Sequence, residues 1–136
     1  MQKFALKTPS GNSEILVGTG LSESLSRLSP EPILLVDEHV LCQHNDLFGK
    51  LPGISLPSGE AYKTLSTVEN LQRELVKLGA DRSSLLVGVG GGLATDVAGF
   101  VASTYMRGVK FGFVSTTLLA QVDASVGGKN GVNTNP

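Results

Sequence analysis

Short apolar runs recur along the chain and predict β-strands. They are rich in Val, Ile and Leu, and each is bounded by Gly, Pro, Asp or Ser, residues that commonly flank strands. The predicted strands are residues 14–17, 33–36, 53–56, 85–89 and 109–114. Runs of this length favour strands, because helices usually extend over about ten residues or more.

Helical spacing of apolar residues falls between most of these runs. In the clearest case, residues 65–78, Leu or Val recurs every three or four positions, and Gly79 follows as a predicted stop. Ser66 and Glu69 are predicted to form a capping box at the start of this helix.

Further helical patterns complete an alternation of strands and helices. Helices are predicted at residues 22–28, 40–48 and 93–106. The last is apolar on almost every side, so we expect it to be buried between a sheet and another layer. The alternation predicts an α/β, Rossmann-like fold with a largely parallel sheet and flanking helices. No linker divides the sequence, so residues 1–136 are predicted to form one domain that binds ligands at the carboxyl ends of its strands.

The balance of charges narrows the class of partner. The chain has 136 residues, with 11 Lys and Arg against 12 Asp and Glu, and a formal net charge of −1. A nearly neutral chain has no overall field that attracts a polyanion, and only 5% of its residues are aromatic, so nucleic-acid binding is not expected. No run approaches about 18 apolar residues, so no membrane span is predicted.

The cysteine content and the N-terminus bear on cellular location. Cys42 is the single cysteine, which excludes an internal disulfide and favours a reducing compartment. The first ten residues lack the apolar stretch and the cleavage site of a secretory signal. We therefore expect a cytoplasmic protein.

A glycine-rich turn joins the predicted strand 85–89 to the predicted helix 93–106. Gly90, Gly91 and Gly92 would allow a diphosphate to approach backbone N–H groups at the positive end of that helix. The alternative is a tight turn without a ligand. The dinucleotide pattern G-x-G-x-x-G is not met, because Leu93 stands where the last glycine belongs.

Two polar segments precede this turn and are candidates for contacts with a nucleotide. Asp37 closes the predicted strand 33–36, where a carboxylate commonly accepts hydrogen bonds from ribose, although it equally fits a helix cap or a turn. Glu60 and Lys63 precede the helix 65–78 and suit ribose hydroxyls and phosphate. By themselves they also fit a solvated ion pair.

The densest polar cluster follows the last predicted strand. It comprises Thr116, Thr117, Asp123, Ser125 and the run Gly127-Gly128-Lys129. A P-loop is excluded, because its pattern requires glycine at position 123 and Ser or Thr at position 130. The cluster suits a small hydroxylated, phosphorylated or carboxylated substrate, and the alternative is a polar loop.

Two further sets of residues are candidates for ligand or metal contact. The first fits two different roles, and the second does not fit a metal site. Asp96 and Arg107 flank the apolar helix about three turns apart, on a similar face, and fit either helix capping or ligand contact. His39, Cys42 and His44 are residue types that bind metals, but their spacing does not bring all three onto one helical face. No metal site is predicted.

Three stretches resemble the 3-dehydroquinate synthase family. Residues 90–100 (GGGLATDVAGF) and 102–108 (ASTYMRG) are similar to its glycine loop and following helix. Residues 115–129 (STTLLAQVDASVGGK) are similar to its most distinctive signature. The resemblance extends from about residue 33 to the end of the sequence.

The resemblance implies a fold and an activity. The family joins an NAD-binding α/β domain to a helical domain that holds a divalent metal, zinc or cobalt, and it forms homodimers. Its members are carbon–oxygen lyases that convert 3-deoxy-D-arabino-heptulosonate 7-phosphate to 3-dehydroquinate and phosphate in the shikimate pathway of aromatic amino acid biosynthesis. Transient oxidation by NAD⁺, loss of phosphate, re-reduction, ring opening and aldol closure regenerate NAD⁺ in each turnover.

The resemblance also implies roles for individual residues. The adenosine half of NAD would contact Asp37, Ser58, Gly59, Glu60 and Lys63, and the diphosphate would contact Gly90, Gly91 and Gly92. Asp96, Thr116 and Thr117 would approach the nicotinamide end, and Arg107, Asp123 and Lys129 would contact the sugar-phosphate substrate.

Some features of the family are not matched. Thr95 stands where the family commonly has glycine. The metal-binding Glu and two His residues have no counterpart, and the sequence ends in the turn-forming residues 130–136, so we expect a chain that lacks the metal domain and is inactive alone. The alternatives are a related cyclase such as 2-deoxy-scyllo-inosose synthase, a glycerol dehydrogenase-type enzyme, and a non-catalytic nucleotide-binding domain.

Overall fold

A computed structural model of the protein describes residues 1–9, 11–44, 46 and 51–134. The chain begins with an antiparallel hairpin of β1 (Gln2–Thr8) and β2 (Gly11–Val17). The apolar pattern predicts only residues 14–17, the end of β2, and does not predict β1. Every residue of β1 is exposed, so this strand has no buried apolar run that would identify it.

The remaining strands form one parallel sheet in the order β4-β3-β5-β6. They are β3 (Pro32–Asp37), β4 (Gly53–Leu56), β5 (Leu85–Gly90) and β6 (Lys110–Ser115). Each predicted strand of this sheet is present within one or two residues of its predicted ends. The α/β, Rossmann-like class with a largely parallel sheet is therefore confirmed.

In the part of the chain that the structure describes, three α-helices accompany the sheet. They are α1 (Glu38–His44), α2 (Leu65–Lys77) and α3 (Gly92–Thr104). Short turns of 3₁₀ helix lie at Leu21–Arg27, Glu60–Tyr62 and Tyr105–Arg107, and a π-helical turn lies at Ala120–Ala124. The segment predicted as a helix at 22–28 is thus a 3₁₀ helix, and of the helix predicted at 40–48, residues 45, 47 and 48 lie outside the described residues. Within the described parts of the chain, no helix is long and apolar enough to cross a membrane.

Both faces of the parallel sheet are covered. Leu35 and Leu86 pack with α2 and α3 on one face, and Leu34 and Val87 pack with Leu25 and apolar residues of α1 on the other. Helix α3 is buried along most of its length, as its sequence predicted. This burial fixes α3 against β5, and therefore fixes its first turn at the carboxyl edge of the sheet.

Helix α2 starts differently from the prediction. Its N-cap is Thr64, whose Oγ1 accepts a hydrogen bond from the Thr67 N–H at 3.3 Å. The predicted capping box of Ser66 and Glu69 is wrong, because Ser66 is already the second helical residue and Glu69 pairs with Arg73. The predicted stop is confirmed, since Gly79 follows the helix with a φ of +74° that favours glycine.

Gly88 sets the distance between α3 and β5. A Cβ atom at this position would lie 2.5 Å from Ala98 Cβ and 3.3 Å from Phe113 Cδ1. Both neighbours belong to packed elements, so neither has room to withdraw.

We expect Gly88→Ala to lower the free energy of unfolding by about 1–3 kcal/mol, because the added methyl group overpacks the α3–β5 contact. Gly112→Ala on neighbouring β6 is the matched control, since a Cβ there would meet no atom within 4 Å. Urea unfolding of both variants measures the difference. Equal stability of the two variants would contradict the proposed close contact.

Candidate functional site

The carboxyl edge of the parallel sheet gathers most of the residues predicted to bind ligand. Asp37 ends β3, Gly90 ends β5, and Ser115 ends β6 beside it in register. The Thr116 N–H donates to the Gly90 carbonyl at 2.9 Å, which brings the start of the polar cluster to the glycine turn. Ligand sites of open α/β sheets lie at this edge.

Only glycine fits at position 90. A Cβ there would lie 2.6 Å from Ala94 Cβ and 2.9 Å from Asp37 Cβ. The turn therefore runs close to both β3 and the first turn of α3. Gly91 is the N-cap of α3 and supplies no side chain, so the first backbone N–H groups of the helix have no side-chain acceptor. Such N–H groups at the positive end of a buried helix suit a diphosphate.

Thr95 does not obstruct this turn. Its side chain is fully buried, and its hydroxyl donates to the carbonyls of Gly91 and Gly92, at 3.3 and 2.9 Å. The hydroxyl thus points back into the helix rather than toward the N–H groups of its first turn. Thr95 therefore leaves the N–H groups of the first helical turn unobstructed.

Asp37 connects two segments at the edge of the site. Its Oδ2 accepts from Ser58 Oγ at 2.8 Å, and its Oδ1 accepts from the His39 N–H at 2.9 Å. The neighbouring Glu38 accepts from the Ser58 N–H at 3.0 Å. Asp37 thus caps α1 and also holds the segment that begins at Ser58. The capping role is confirmed, and the contact of Asp37 with a ribose stays a prediction.

Lys63 and Asp96 form the strongest ion pair of the site. Lys63 Nζ lies 2.7 Å from Asp96 Oδ2 and 4.0 Å from Glu60 Oε1, and the side chains of Lys63 and Asp96 are only 20% and 21% exposed. The hydrogen bond to Asp96 raises the pKa of Lys63, against an opposing effect of burial. The capping role considered for Asp96 is wrong, because Asp96 lies beyond the first turn of α3.

The polar cluster after β6 folds across the start of α3. Thr117 is so near that a Cβ on Gly91 would lie 3.1 Å from its Cγ2. The π-helical turn Ala120–Ala124 follows, and the Asp123 carbonyl accepts from the N–H groups of Val126 and Gly127. π-Helical turns are frequent at functional sites, and the sequence pattern does not predict this one. Asp123 and Lys129 are exposed, as a ligand contact requires.

Arg107 lies apart from these residues. Helix α3 ends at Thr104, and both Met106 and Arg107 have positive φ, so the prediction that Arg107 and Asp96 share a helical face is wrong. The 13 residues of α3 put its two ends roughly 20 Å apart. The structure therefore does not bring Arg107 to the glycine turn, and its substrate contact stays a prediction.

The segment after Lys129 was predicted only as turn-forming sequence, yet it joins the site. The Asn133 N–H donates to the Lys63 carbonyl at 2.7 Å, and Asn133 Nδ2 donates to Glu60 Oε1 at 3.0 Å. No signal in the sequence identifies these contacts, because they join positions about 70 residues apart.

The described residues offer no ligand set for a metal ion. No three His, Cys, Asp or Glu side chains among them cluster at a distance that would hold one. The exposed Cys42 lies on α1 with His39 and His44, and these three side chains do not form such a cluster.

The fold and the site define a class of protein, an α/β domain with structural neighbours among sugar-phosphate cyclases. A structure of 2-deoxy-scyllo-inosose synthase with carbaglucose-6-phosphate, NAD⁺ and Co²⁺ matches with a TM-score of 0.82 and 34% identity, over 98% of this chain and 40% of that one. The 2-epi-5-epi-valiolone synthase of Streptomyces hygroscopicus, with NAD⁺ and Zn²⁺ bound, matches with a TM-score of 0.71 and 25% identity, over 84% and 33%.

The family follows from the sequence comparison. The model of the 3-dehydroquinate synthase N-terminal region matches residues 53–136, and the chain belongs to this family. The 3-dehydroquinate synthase of Pyrococcus abyssi is 60% identical over 64% of this chain and 26% of its own length. That of Pyrococcus furiosus is 48% identical over 83% of this chain and 36% of its own length. The chain thus spans about a third of the length of these relatives.

We expect the Lys63–Asp96 pair to stabilise the fold in a way that is lost at alkaline pH. The pKa of Lys63 is raised above its ordinary 10.5, so the folded state holds the proton more tightly than the unfolded chain. The stabilisation is complete below pH 10.5 and declines as the pH rises through the folded pKa. The stability difference between the parent and Lys63→Gln, measured by urea unfolding, should therefore be constant below pH 10.5 and shrink as the pH rises above it.

Lys77→Gln is the matched control for this series. Lys77 pairs with Glu74 at 2.6 Å, but the two side chains are 70% and 47% exposed, so loss of the pair should cost little at any pH. A difference between the parent and Lys63→Gln that is constant with pH would contradict the proposed role of the pair.

Proposed function

We propose that this chain is the NAD-binding part of a 3-dehydroquinate synthase. The whole enzyme would convert 3-deoxy-D-arabino-heptulosonate 7-phosphate to 3-dehydroquinate and phosphate in the shikimate pathway. The observation that carries the proposal is the glycine turn at Gly90–Gly92, whose helix N-terminus has no side-chain cap and faces the carboxyl edge of the sheet beside Asp37. Membership of the family supports the same reading.

The residues around the glycine turn fit a dinucleotide. Backbone N–H groups at Gly91 and Gly92 would hold the diphosphate, and Asp37 with the segment from Ser58 to Lys63 would contact the adenosine ribose. Asp96, Thr116 and Thr117 would contact the nicotinamide end. Bound NAD⁺ supplies a hydride acceptor. Two sugar-phosphate cyclases that resemble this chain contain NAD⁺, which supports the assignment.

The exposed residues after β6 fit the substrate. Lys129 carries a positive charge suited to a phosphate or carboxylate, and Asp123 accepts hydrogen bonds of the kind that sugar hydroxyls donate. The π-helical turn lies against the α3 N-terminus, since a Cβ on Gly92 would lie 4.0 Å from Ala124 Cβ, and Asp123 immediately precedes Ala124. Cofactor and substrate would thus meet over the first turn of α3. Arg107 is proposed as a further contact to substrate anions.

The proposal places the metal site in a further domain, which the complete reaction would also require. We infer that residues 1–136 form the NAD-binding domain and that the divalent metal, zinc or cobalt, is held by a further helical domain. The chain alone would then bind NAD⁺ without turnover. A homodimer and a cytoplasmic location are proposed on the same family basis.

A related cyclase is the second candidate. The match to 2-deoxy-scyllo-inosose synthase extends over nearly the whole chain, so the glycine turn and the sheet suit either enzyme. Residues 53–136, which include Arg107 and the signature from Asp123 to Lys129, match the 3-dehydroquinate synthase model and favour that reading.

We expect calorimetric titration of NAD⁺ into the chain to show one saturable site, which Gly91→Asp abolishes. The new carboxylate would occupy the N-cap position, accept from the helix N–H groups and repel the diphosphate. Because Asp is also a favourable N-cap residue, this gain should offset the close contact of the new Cβ with Thr117 Cγ2 at 3.1 Å, and the free energy of unfolding should stay within about 1 kcal/mol of the parent. Unchanged NAD⁺ affinity in a folded Gly91→Asp variant would contradict the assignment.

We further expect no phosphate release when the purified chain is incubated with 3-deoxy-D-arabino-heptulosonate 7-phosphate, NAD⁺ and Zn²⁺ or Co²⁺. Turnover by these 136 residues would contradict the proposal that NAD and the metal are bound by two separate domains. Net accumulation of NADH, followed by absorbance, would instead indicate a dehydrogenase, because a synthase returns the hydride in each cycle.

A further inference from the structure

Residues 130–133 cross the site as a strap, a name we use for these four residues only. Three successive contacts hold the strap against the domain. The Asn130 side chain lies on Gly99 so closely that a Cβ there would overlap its amide. Val132 packs against the apolar core, and Asn133 forms an isolated parallel bridge with Thr64. The strap therefore connects the segment that ends at Lys129 to the segment that precedes α2.

The end of the strap contacts two residues assigned to the cofactor. Asn133 donates its backbone N–H to the Lys63 carbonyl at 2.7 Å and its side-chain amide to Glu60 Oε1 at 3.0 Å. The Glu60 side chain is 69% exposed, and its Oε1 lies 4.0 Å from Lys63 Nζ. An exposed carboxylate has many accessible rotamers, so the Asn133 amide selects among them.

We propose that Asn133 is a positioning residue for NAD binding, which acts through Glu60. The amide of Asn133 holds one oxygen of Glu60 and thereby orients the other toward a ribose hydroxyl. The inference rests on the proposed function, because it takes Glu60 as a ribose contact. It goes further by assigning a role to a residue beyond the matched glycine loop and signature.

The strap also links the two halves of the site. Lys129, assigned to substrate, immediately precedes the strap, and Lys63 and Glu60, assigned to cofactor, lie at its other end. Lys63 in turn pairs with Asp96 of α3, with 2.7 Å between Nζ and Oδ2. The strap thus contacts the segment assigned to the cofactor, and that segment is itself paired with α3.

The test is a double-mutant cycle in NAD⁺ affinity, measured by calorimetry on the 136-residue chain. Asn133→Ala should weaken binding about threefold to tenfold, the effect of losing one solvent-exposed hydrogen bond of ordinary net strength. In a Glu60→Ala background, the same Asn133→Ala change should alter the affinity by less than about twofold, since its target is gone. Asn12→Ala on exposed β2 is the matched control and should leave the affinity unchanged.

Equal losses from Asn133→Ala in both backgrounds would overturn the proposal, because they would indicate a role that does not pass through Glu60. No loss in either background would overturn it as well. Asn133→Asp tests whether a negative charge at this position lowers NAD⁺ affinity, as the proposal requires. Its carboxylate would repel Glu60, so it should weaken binding at least as much as Asn133→Ala.

Amide hydrogen exchange without NAD⁺ separates this proposal from the proposed function. The Lys63 and Thr64 amides donate within the turn, to Glu60 and Tyr62, and should exchange about threefold to tenfold faster in Asn133→Ala but not in Asn12→Ala. If the parent chain binds no NAD⁺ but these amides respond, the cofactor assignment fails and the positioning contact stands. If the amides do not respond, the proposal itself fails.

Discussion

The close packing of α3 on the parallel sheet is the constraint on which the site depends. Two glycines allow it, since a Cβ at Gly88 would lie 2.5 Å from Ala98 Cβ and one at Gly90 would lie 2.6 Å from Ala94 Cβ. The apolar character of α3 on almost every side supplies the driving force, because most of the helix is buried. As a result, the uncapped N-terminus of α3 lies at the carboxyl edge of the sheet, between Asp37 and Thr117.

Around this fixed helix, polar contacts join segments that are distant in sequence. Ser58 is held by Asp37 and Glu38, and Lys63 is held by Asp96. Each contact joins a loop residue to a side chain on or beside a helix or strand. The sheet and α3 therefore fix the positions of these loops. Such support from neighbouring groups is what a binding site needs in order to be formed before its ligand arrives.

The sequence predicted the parts of the structure that depend on interactions between residues close together in the chain. The parallel strands, α2 and α3 follow from apolar periodicity, and the glycine turn follows from three consecutive glycines after a strand. Strand β1 was missed because its exposed residues bury nothing. The cap of α2 was assigned to Ser66 instead of Thr64, since the exact start of a helix is weakly encoded. The contact between Asn133 and Glu60 depends on tertiary structure, and no local pattern predicts it.

Chemical-shift mapping of NAD⁺ binding by NMR would test the central claim most directly. If the α3 N-terminus is the cofactor site, the amides of Gly90, Gly91 and Gly92 should shift most, with smaller shifts at Asp37 and Lys63. Shifts concentrated instead in the groove between β4 and α2, lined by residues such as Ile54, Tyr62 and Leu71, would contradict the account, because they would place the nucleotide away from the glycine turn.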